Sequence, residues 1–245
     1  MADRPVYIPL YKSELLVETK FVTFTWYPGM ARSQKQKSIA TLHESARNDG
    51  ICKHPLEVSS KSLDDLGVQL SAFNLSAKTE KHERPFTVET AYQSSKVFTN
   101  GGPYKDLLFG SSIAAKTDSR LKESGELTKF HFFGVTWQLE PKTAFYDWVY
   151  LSALRKNRWA IEKLDDYDAF TDIEFNPKKS INCQAYSVAL FKSLNGRGLL
   201  NDALNSQEAF LAVVGDRPVS NASAPARRPG ELRGQGGERP SVRAE

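Results

Sequence analysis

Extended segments are predicted where β-branched and aromatic residues are dense. Residues 5–10 (PVYIPL) and 21–26 (FVTFTW) combine Val, Ile, Thr and aromatic side chains, which favour strands. A short run at 55–60 (PLEVSS) and a longer one at 129–139 (KFHFFGVTWQL) have the same character. The hydrophobic pattern therefore predicts a few strands, separated by segments of a different periodicity.

Five other segments have helical spacing or helix-capping residues at their ends. The first has Ser33 near its N-cap and ends before Gly50, and the fourth is apolar nearly all round, which is typical of a central buried helix. The five segments are 33–50, 86–98, 111–125, 143–157 and 182–196. The prediction is an α+β fold, a helix-dominated single domain over residues 1–205 with a few short strands.

Composition supports one globular body. Hydrophobic residues make up 40% of the 245 residues, which is enough for a sizeable core. The 33 Lys and Arg residues exceed the 29 Asp and Glu residues by only 4, so anionic partners are allowed but not required. Residues 216–245 lack aromatic side chains and repeat Pro, Gly, Ala and Arg, which predicts a disordered tail.

Several classes of protein are not supported. The two cysteines form no Cys-x-x-Cys pair and the four histidines are dispersed, so we expect no disulfide scaffold and no metal site. Nucleotide-loop and hydrolase motifs are absent from the sequence, and we expect no cofactor. No apolar stretch approaches the roughly 20 residues of a spanning helix. We expect a cytoplasmic protein without export or membrane contact.

The first candidate site lies in the segment 86–98. Glu89, Gln93 and Lys96 are spaced at i, i+4 and i+7, so on a helix they fall within one polar stripe, with Tyr92 at its border. A carboxylate, an amide, a phenol and an ammonium in this arrangement could line a cleft for a polar ligand. An ordinary solvated helix face would explain the same spacing.

A second candidate follows in residues 170–176, where Asp172, Glu174 and Asn176 alternate with apolar residues. In an extended segment this alternation would send all three polar side chains to one side. Carboxylates there could bind ribose hydroxyls or act as a general base near a reacting sugar carbon. A solvent-facing edge strand is the alternative.

A third candidate is basic. Arg32, Lys35 and Lys37 stand at the start of a predicted helix, where the helix dipole disfavours positive charge and a bound anion would relieve the cost. A lysine held there with lowered proton affinity would be the better amine nucleophile. A frayed, solvated first turn is the alternative. Gly101 and Gly102 form a turn whose N–H groups could approach a phosphate, although the same glycines simply stop helices.

Several of these motifs carry a family resemblance. Residues 89–96 read Glu-Thr-Ala-Tyr-Gln-Ser-Ser-Lys, which resembles the Glu-x-x-(Tyr/Phe)-Gln-x-x-Lys helix of the NADAR superfamily, with its YbiA-like N-glycosidases. The stretch 70–77 (LSAFNLSA), with Phe73 and Asn74, resembles the Leu-Ser-Asn-Phe sequence before that helix. An ordered set of motifs over about residues 4–200 is similar to the NADAR branch paired with DarT-type toxins: SQKQKSIATLH, LEVSSKS, LSAFNL, VETAYQSSKVFTNGGPY, FYDWVYL and FTDIEFNPKKSINCQA.

The resemblance implies a YbiA-like fold and a DNA-repairing enzyme. The implied activity is removal of ADP-ribose from guanine bases of DNA, with single-stranded DNA as substrate, ADP-ribose as product and a cognate toxin as possible partner. Glu89 matches the superfamily carboxylate, and Tyr92, Gln93 and Lys96 become pocket residues together with Phe73 and Asn74. YbiA-like members have Trp-Gly-Asp-Gly where this chain has FTDIEF, so the departure points to a different substrate.

The chemistry suits these residue types. Cleavage of the bond between ribose C1 and the base builds positive charge on the sugar, which a fixed carboxylate such as Glu89 can stabilise. A lysine could instead attack the anomeric carbon and form a Schiff base that water hydrolyses. The helix-start position favours Lys35 over Lys37 and Lys96, and Asp172 is the third catalytic candidate. Arg32, Lys37 and the glycine turn would cover the two phosphates.

Three other functions remain open. The chain could cleave phosphorylated intermediates of riboflavin synthesis, as YbiA-like relatives do, although the Trp-Gly-Asp-Gly loop is missing. It could bind ADP-ribose or nucleic acid without turnover, using the same polar stripe. It could also act by clamping a toxin directly.

Overall fold

The structure, a computed structural model, describes residues 1–177 and 180–215. The strands are β1 (Ala2–Pro9), β2 (Val17–Phe24), β3 (Pro55–Glu57), β4 (Ser76–Lys78), β5 (Pro85–Thr87), β6 (Lys96–Phe98), β7 (Leu127–Phe132), β8 (Val135–Trp137) and β9 (Ala169–Thr171). The helices are α1 (Arg32–Asn48), α2 (Asp65–Gln69), α3 (Val88–Ser94), α4 (Ser112–Thr117), α5 (Arg120–Glu123), α6 (Ala144–Arg155), α7 (Arg158–Leu164), α8 (Gln184–Gly196), α9 (Leu200–Ala203) and α10 (Gln207–Val214), with a 3-10 helix at Lys105–Phe109. The predicted α+β class is confirmed, and the predicted tail lies outside the described residues.

A four-stranded sheet, in the order β2-β1-β9-β3, organises the N-terminal half. β1 pairs antiparallel with β2 and β9, and β3 runs parallel to β9. Neighbouring residues of a strand face opposite sides, so Val6 joins a small hydrophobic cluster with α1, and Tyr7 joins the main cluster with α8. Ala169 and Phe170 of β9 divide in the same way. The sheet therefore lies between α1 and α8, with β3 and β9 side by side.

The core is centred on α6 and α8, as the apolar pattern predicts. Tyr150 and Leu154 of α6, and Val188 and Leu194 of α8, are fully buried in one cluster. Phe210 of α10 is also fully buried there. Two smaller sheets complete the body: the β4–β5 hairpin, and β6-β7-β8, in which β7 and β8 form a hairpin. No helix within residues 1–177 and 180–215 is long and apolar enough to cross a bilayer.

The helix predicted over 86–98 is wrong in length, because only Val88–Ser94 is helical. Phe86 belongs to β5, and Lys96 to β6, where it pairs with Phe130 of β7. At the end of α3 the hydroxyls of Ser94 and Ser95 both donate to the carbonyl of Ala91, at 3.1 and 2.6 Å. Such local bonds compete with continued helix, so the chain leaves α3 and enters a strand.

One other helix prediction is also wrong. The segment 111–125 is not one helix but α4 and α5, because Asp118 between them is not helical and its carboxylate accepts a hydrogen bond from the backbone of Arg120 at 3.0 Å. The N-cap of α1 is Ala31, two residues before Ser33. The Ala31 carbonyl accepts from the backbone N–H groups of Gln34 and Lys35, and no side chain caps the helix.

A buried carboxyl group joins α6 to α8. Asp147 is 3% exposed, and its two oxygens accept hydrogen bonds from the hydroxyls of Thr143 at 2.7 Å and Ser187 at 2.6 Å. Burial raises the pKa of Asp147 to about 7, and the two hydrogen bonds offset only part of this effect. An unfolded aspartate has a pKa near 3.9. Between these values the folded state holds a proton that the unfolded chain has released.

Replacement of Asp147 by Asn should flatten the dependence of stability on pH. Because the pKa is raised on folding, this group's contribution to stability falls as pH rises from about 4 to about 7, by about 4 kcal/mol. Asp147→Asn removes that loss. The free energy of unfolding of Asp147→Asn, relative to that of wild type, should therefore be higher at pH 7.5 than at pH 4.5. Urea unfolding at both values measures the change, with the exposed Asp202→Asn as the matched control. Equal pH dependence in wild type and Asp147→Asn would contradict the prediction.

Candidate functional site

Glu89 is fixed near the start of α3 by two sets of backbone bonds. Thr87 and Thr90 form a capping box, in which the Thr87 hydroxyl accepts from the backbone of Thr90 and the Thr90 hydroxyl accepts from the backbone of Thr87. The N–H of Glu89 donates to the carbonyl of Ala72 at 2.9 Å. These bonds tie α3 to the segment before β4. They leave the Glu89 side chain only 6% exposed.

Glu89 and Gln93 form a buried pair. The Gln93 amide donates to Glu89 Oε1 at 2.9 Å, and Gln93 itself is 7% exposed. A solvated helix face, the alternative for this spacing, is therefore wrong. The other amide atom, Gln93 Oε1, is buried and has no donor within reach in the described part of the chain. An unsatisfied buried acceptor costs about 1–3 kcal/mol, so the position suits a ligand hydroxyl or N–H.

Lys96 adjoins this pair although it lies beyond the helix. Its ammonium nitrogen lies 4.7 Å from the centre of the Tyr92 ring. Burial lowers the pKa of Lys96 to about 8, an effect that the Glu89 carboxylate opposes and the nearby Lys116 reinforces. The Tyr92 hydroxyl accepts a hydrogen bond from the Asn182 amide at 2.7 Å, and burial raises the pKa of Tyr92 to about 12. The structure thus brings Glu89, Tyr92, Gln93 and Lys96 together, as predicted.

The predicted extended stretch 172–176 is a turn, so its side chains do not share one side. Asp172 Oδ1 accepts from the backbone N–H groups of Glu174 at 2.9 Å and Phe175 at 3.1 Å, a local bonding pattern that bends the chain. As a result Asp172 is 7% exposed while Glu174 is exposed. Asn176 is half-buried, and its carbonyl accepts from the backbone of Ser180 at 3.0 Å.

Glu57 is the partner that sequence reasoning missed. It is 2% exposed, and its carboxylate accepts from the hydroxyls of Ser59 and Thr171, each at 2.7 Å, and from the N–H of Ile173 at 2.8 Å. Burial raises the pKa of Glu57. Burial and the nearby charge of Glu57 raise the pKa of Asp172 well above its usual value. The signal in the sequence was a carboxylate between Leu56 and Val58 in an apolar strand.

Lys35 joins the start of α1 to the turn at 172–175. Its ammonium nitrogen lies 3.3 Å from Glu174 Oε1 and 4.8 Å from the centre of the Trp26 ring. Arg32 stands at the first position of α1 and its guanidinium is 3.5 Å from the Ser62 carbonyl. Lys37 lies over the Tyr27 ring at 5.9 Å. The first turn of α1 contains no acidic residue and no side chain caps it, so the positive end of the helix dipole lies beside these cations.

Tyr146 of α6 is influenced by both the Glu89 site and the turn at Asp172. Its ring centre lies 5.3 Å from that of Tyr92. The Tyr146 side chain is buried, and burial raises its pKa well above the usual value, with the charges of Glu89 and Asp172 among the further causes. Asp172 also acts on Arg4, whose guanidinium carbon lies 5.2 Å from the Trp26 ring centre. Tyr146 and Arg4 are residues that sequence reasoning did not select. Their contribution depends on which segments meet, and no local pattern marks it.

The remaining predicted residues lie around Lys96 in different roles. Lys116 lies over the Phe73 ring at 4.8 Å, which places Phe73 beside the Lys96 region. Asn74 is exposed, and its amide donates to the Val68 carbonyl at 2.8 Å, a bond that shapes its own loop. Gly101 and Gly102 pack tightly: Gly102 has φ of 80°, and a Cβ added there would overlap the Lys96 carbonyl. The turn therefore supports the backbone that carries Lys96.

Metal ligation finds no support within residues 1–177 and 180–215, where no three His, Cys, Asp or Glu side chains are grouped. The chemical character of the site is a set of buried carboxyl groups, a lysine of lowered pKa and a cationic helix start. No curated protein matches the chain. A family model described as DarT1-associated NADAR antitoxin matches residues 2–224, nearly the whole of the chain. The protein therefore belongs to the family of DarT1-associated NADAR antitoxins.

Proposed function

We propose that this protein removes ADP-ribose from guanine bases of single-stranded DNA and thereby acts as the antitoxin of a DarT-type toxin. The observation that carries the proposal is the buried Glu89–Gln93 pair beside Lys96, with an acceptor oxygen left unsatisfied. Buried polar groups that lack partners are expected at functional sites rather than in an ordinary core. Family membership supports the antitoxin role.

Glu89 is the proposed catalytic carboxylate. As the bond between the anomeric carbon and the guanine nitrogen breaks, its electron pair goes to the base, which takes up a proton, and positive charge grows on the sugar. A carboxylate in a buried site stabilises that charge more strongly than water does, because the local dielectric is low. Water then adds to the anomeric carbon and loses a proton, giving free ADP-ribose. Gln93 Oε1 is suited to accept a ribose hydroxyl.

Asp172 is the proposed proton carrier. Burial and the nearby charge of Glu57 raise its pKa well above the usual value, which favours the protonated form of the carboxyl group. A carboxylic acid of this kind can donate the proton that guanine needs as it leaves. Asp172 would then donate the proton, and the Glu89 carboxylate would stabilise the positive charge on the sugar. The charges of both residues act on Tyr146.

A lysine can assist by covalent catalysis. The neutral amine would form a bond to the anomeric carbon as the bond to guanine breaks, and guanine would take up a proton. The ring bond between the anomeric carbon and oxygen then opens, that oxygen takes the second proton of the amine, and a Schiff base results. Water hydrolyses the Schiff base to the free amine and the aldehyde form of ADP-ribose, which closes to the ring. Lys35 is our first candidate, because Glu174 at 3.3 Å can accept the proton that the attacking amine loses. Lys96 is the second candidate, because with a pKa of about 8 a substantial fraction of its amine is neutral near pH 8.

The two phosphates of ADP-ribose are proposed to bind at the start of α1. The positive end of a helix dipole and neighbouring cations favour phosphate, and α1 has both, since Arg32 and Lys37 lie at a first turn that no side chain caps. Gly101 and Gly102 were expected to contribute backbone N–H groups. Their tight packing against Lys96 and Tyr104 supports a positioning role for the turn in addition.

Incubation with single-stranded DNA carrying ADP-ribosylated guanine tests the proposed function. We expect release of ADP-ribose and restoration of guanine, followed by mass spectrometry of both products. A phosphorylated pyrimidine N-glycoside serves as the competing substrate, since its cleavage would release ribose 5-phosphate. Persistence of the modified guanine at high enzyme concentration would refute the proposal, and preferential cleavage of the pyrimidine would assign the site to riboflavin-type intermediates.

Glu89→Gln should lower kcat on modified DNA by about 100-fold or more, because the charge that stabilises the transition state is lost. The amide oxygen of Gln at position 89 can still accept from Gln93, so thermal stability should change little. Steady-state kinetics and a melting curve measure the two effects. Glu44→Gln on the exposed face of α1 is the matched control and should retain wild-type turnover. A kcat within twofold of wild type in Glu89→Gln would remove Glu89 from the mechanism.

Reduction with borohydride during turnover should trap a covalent adduct on Lys35. The reagent converts a Schiff base to a stable amine, and peptide mass spectrometry identifies the lysine that carries the ADP-ribose-derived mass. We expect Lys35→Arg to abolish the adduct and to slow turnover, while Lys96→Arg retains the adduct at position 35. An adduct on Lys96, or turnover in Lys35→Arg equal to wild type, would contradict the assignment.

A further inference from the structure

A surface groove outside the candidate site remains without an assigned role. It has a volume of about 640 Å³ and lies between the β4–β5 hairpin, the 3-10 helix, the β7–β8 hairpin and the end of α6. Its lining is rich in aromatic side chains, namely Phe86, Phe109, Phe132, Phe133 and Trp148. Aromatic rings gathered at a surface are more typical of a binding site than of a monomer's ordinary exterior.

Phe133 is held outward at the tip of the β7–β8 hairpin. The side chain is 63% exposed, although its ring centre lies 4.4 Å from that of Phe132 and 6.1 Å from that of Phe86. The backbone φ of Phe133 is 44°, a region that bulky residues rarely adopt and that Asn or Gly occupies at lower cost in a two-residue hairpin turn. Strain at an exposed aromatic ring points to a binding role for the ring.

The rim of the groove is strongly cationic. Two carboxylates accompany five basic side chains here: Glu80 is in the lining, and Glu83 forms an ion pair with Lys78 at 3.2 Å. The basic residues are Lys78, Lys81, Arg84, Arg155 and Lys156. The guanidinium carbon of Arg84 lies 3.7 Å from the centre of the Phe109 ring, so a planar cation and a ring share one surface. The whole chain has a net charge of only +4, and this concentration is therefore local.

The groove is structurally continuous with the candidate site. β5, which carries Phe86, runs directly into α3, which carries Glu89. The 3-10 helix that carries Phe109 is followed by α4, where the Ser112 hydroxyl donates to the Phe73 carbonyl at 2.8 Å. Lys116 on the same helix lies over Phe73 and lowers the pKa of Lys96. A chain of contacts thus leads from the groove to Glu89 and Lys96.

We propose that this groove binds the unpaired nucleic-acid strand on either side of the reacting nucleotide. Bases stack on Phe133 and the neighbouring rings, and phosphates pair with the cationic rim, the combination by which proteins bind single strands without reading sequence. Charge complementarity favours a polyanion, because Lys81, Arg84, Arg155 and Lys156 add to the groove four cations besides Lys78, against the carboxylates of Glu80 and Glu83. The inference rests on the proposed function for the identity of the strand, and its test does not require turnover.

The test measures affinity of the full-length chain for an unmodified 12-nucleotide thymine oligonucleotide by fluorescence anisotropy. Phe133→Asn should weaken binding about tenfold, since loss of one stacking platform has an effect of this order. Asn suits a positive φ, so the hairpin should fold, and a melting curve verifies this. The exposed Tyr11→Ala, outside the groove lining, is the matched aromatic control and should bind as wild type does.

A second variant tests the rim independently of the hairpin. Combined Arg155→Ala and Lys156→Ala should reduce the slope of log affinity against log salt by about 0.7 for each phosphate contact removed. Combined Lys12→Ala in the β1–β2 connection and Lys20→Ala on the exposed face of β2 should leave the slope unchanged. Strand affinity within twofold of wild type in both groove variants would overturn the proposal. Loss of affinity for the toxin in those variants, with strand affinity intact, would likewise overturn it and assign the groove to a protein partner.

Because the oligonucleotide is unmodified, the binding test of the groove does not depend on whether the protein cleaves modified guanine. If the protein binds the strand through the groove but leaves modified guanine intact, the groove proposal stands and the proposed glycohydrolase activity is refuted. If the protein cleaves modified guanine but its strand binding does not depend on Phe133, Arg155 or Lys156, the proposed activity stands and the groove proposal is refuted.

Discussion

The carboxylate of Glu57 holds three parts of the chain at one point, and the arrangement of the site depends on it. It accepts hydrogen bonds from Ser59 after β3, from Thr171 at the end of β9 and from Ile173 in the turn that follows. The parallel pairing of β3 with β9 brings these groups within reach. Once they are fixed, Asp172 is buried and Glu174 points toward Lys35. A buried carboxylate left without these donors would be strongly destabilising.

Burial shifts the pKa values of an acid and a base of the site in opposite directions. Asp172 has its pKa raised well above the usual value, and Lys96 has its pKa lowered to about 8. Both shifts have the same first cause, since removal from water penalises the charged form of an acid and of a base alike. The site therefore combines a carboxyl group whose protonated form is favoured with an amine whose neutral form is favoured, each relative to the same group in water. That pairing suits a reaction in which a base leaves and a sugar carbon changes partner.

Local sequence pattern predicted those parts of the structure that local forces determine. The apolar residues all round 143–157 indicate burial in any fold, and the capping box and i, i+4 spacing of α3 place Glu89 beside Gln93. The turn at Asp172 was not predicted, because alternation of polar and apolar residues does not reveal a carboxylate that bonds to its own backbone. Glu57 was missed for a different reason: its bond to Thr171 joins residues 114 positions apart. Such contacts require knowledge of which strands pair.

The short joint between α3 and β6 makes the geometry of the site sensitive to insertions and deletions. Glu89 belongs to a helix and Lys96 to a strand, and only Ser95 separates the two elements. Both neighbours are anchored, the helix through Ala72 and the strand through Phe130. An inserted or deleted residue at the joint would rotate the carboxylate or flip the amine to the other face of the strand. The number of residues between Glu89 and Lys96 therefore determines the geometry of the site, as the two side chains themselves do.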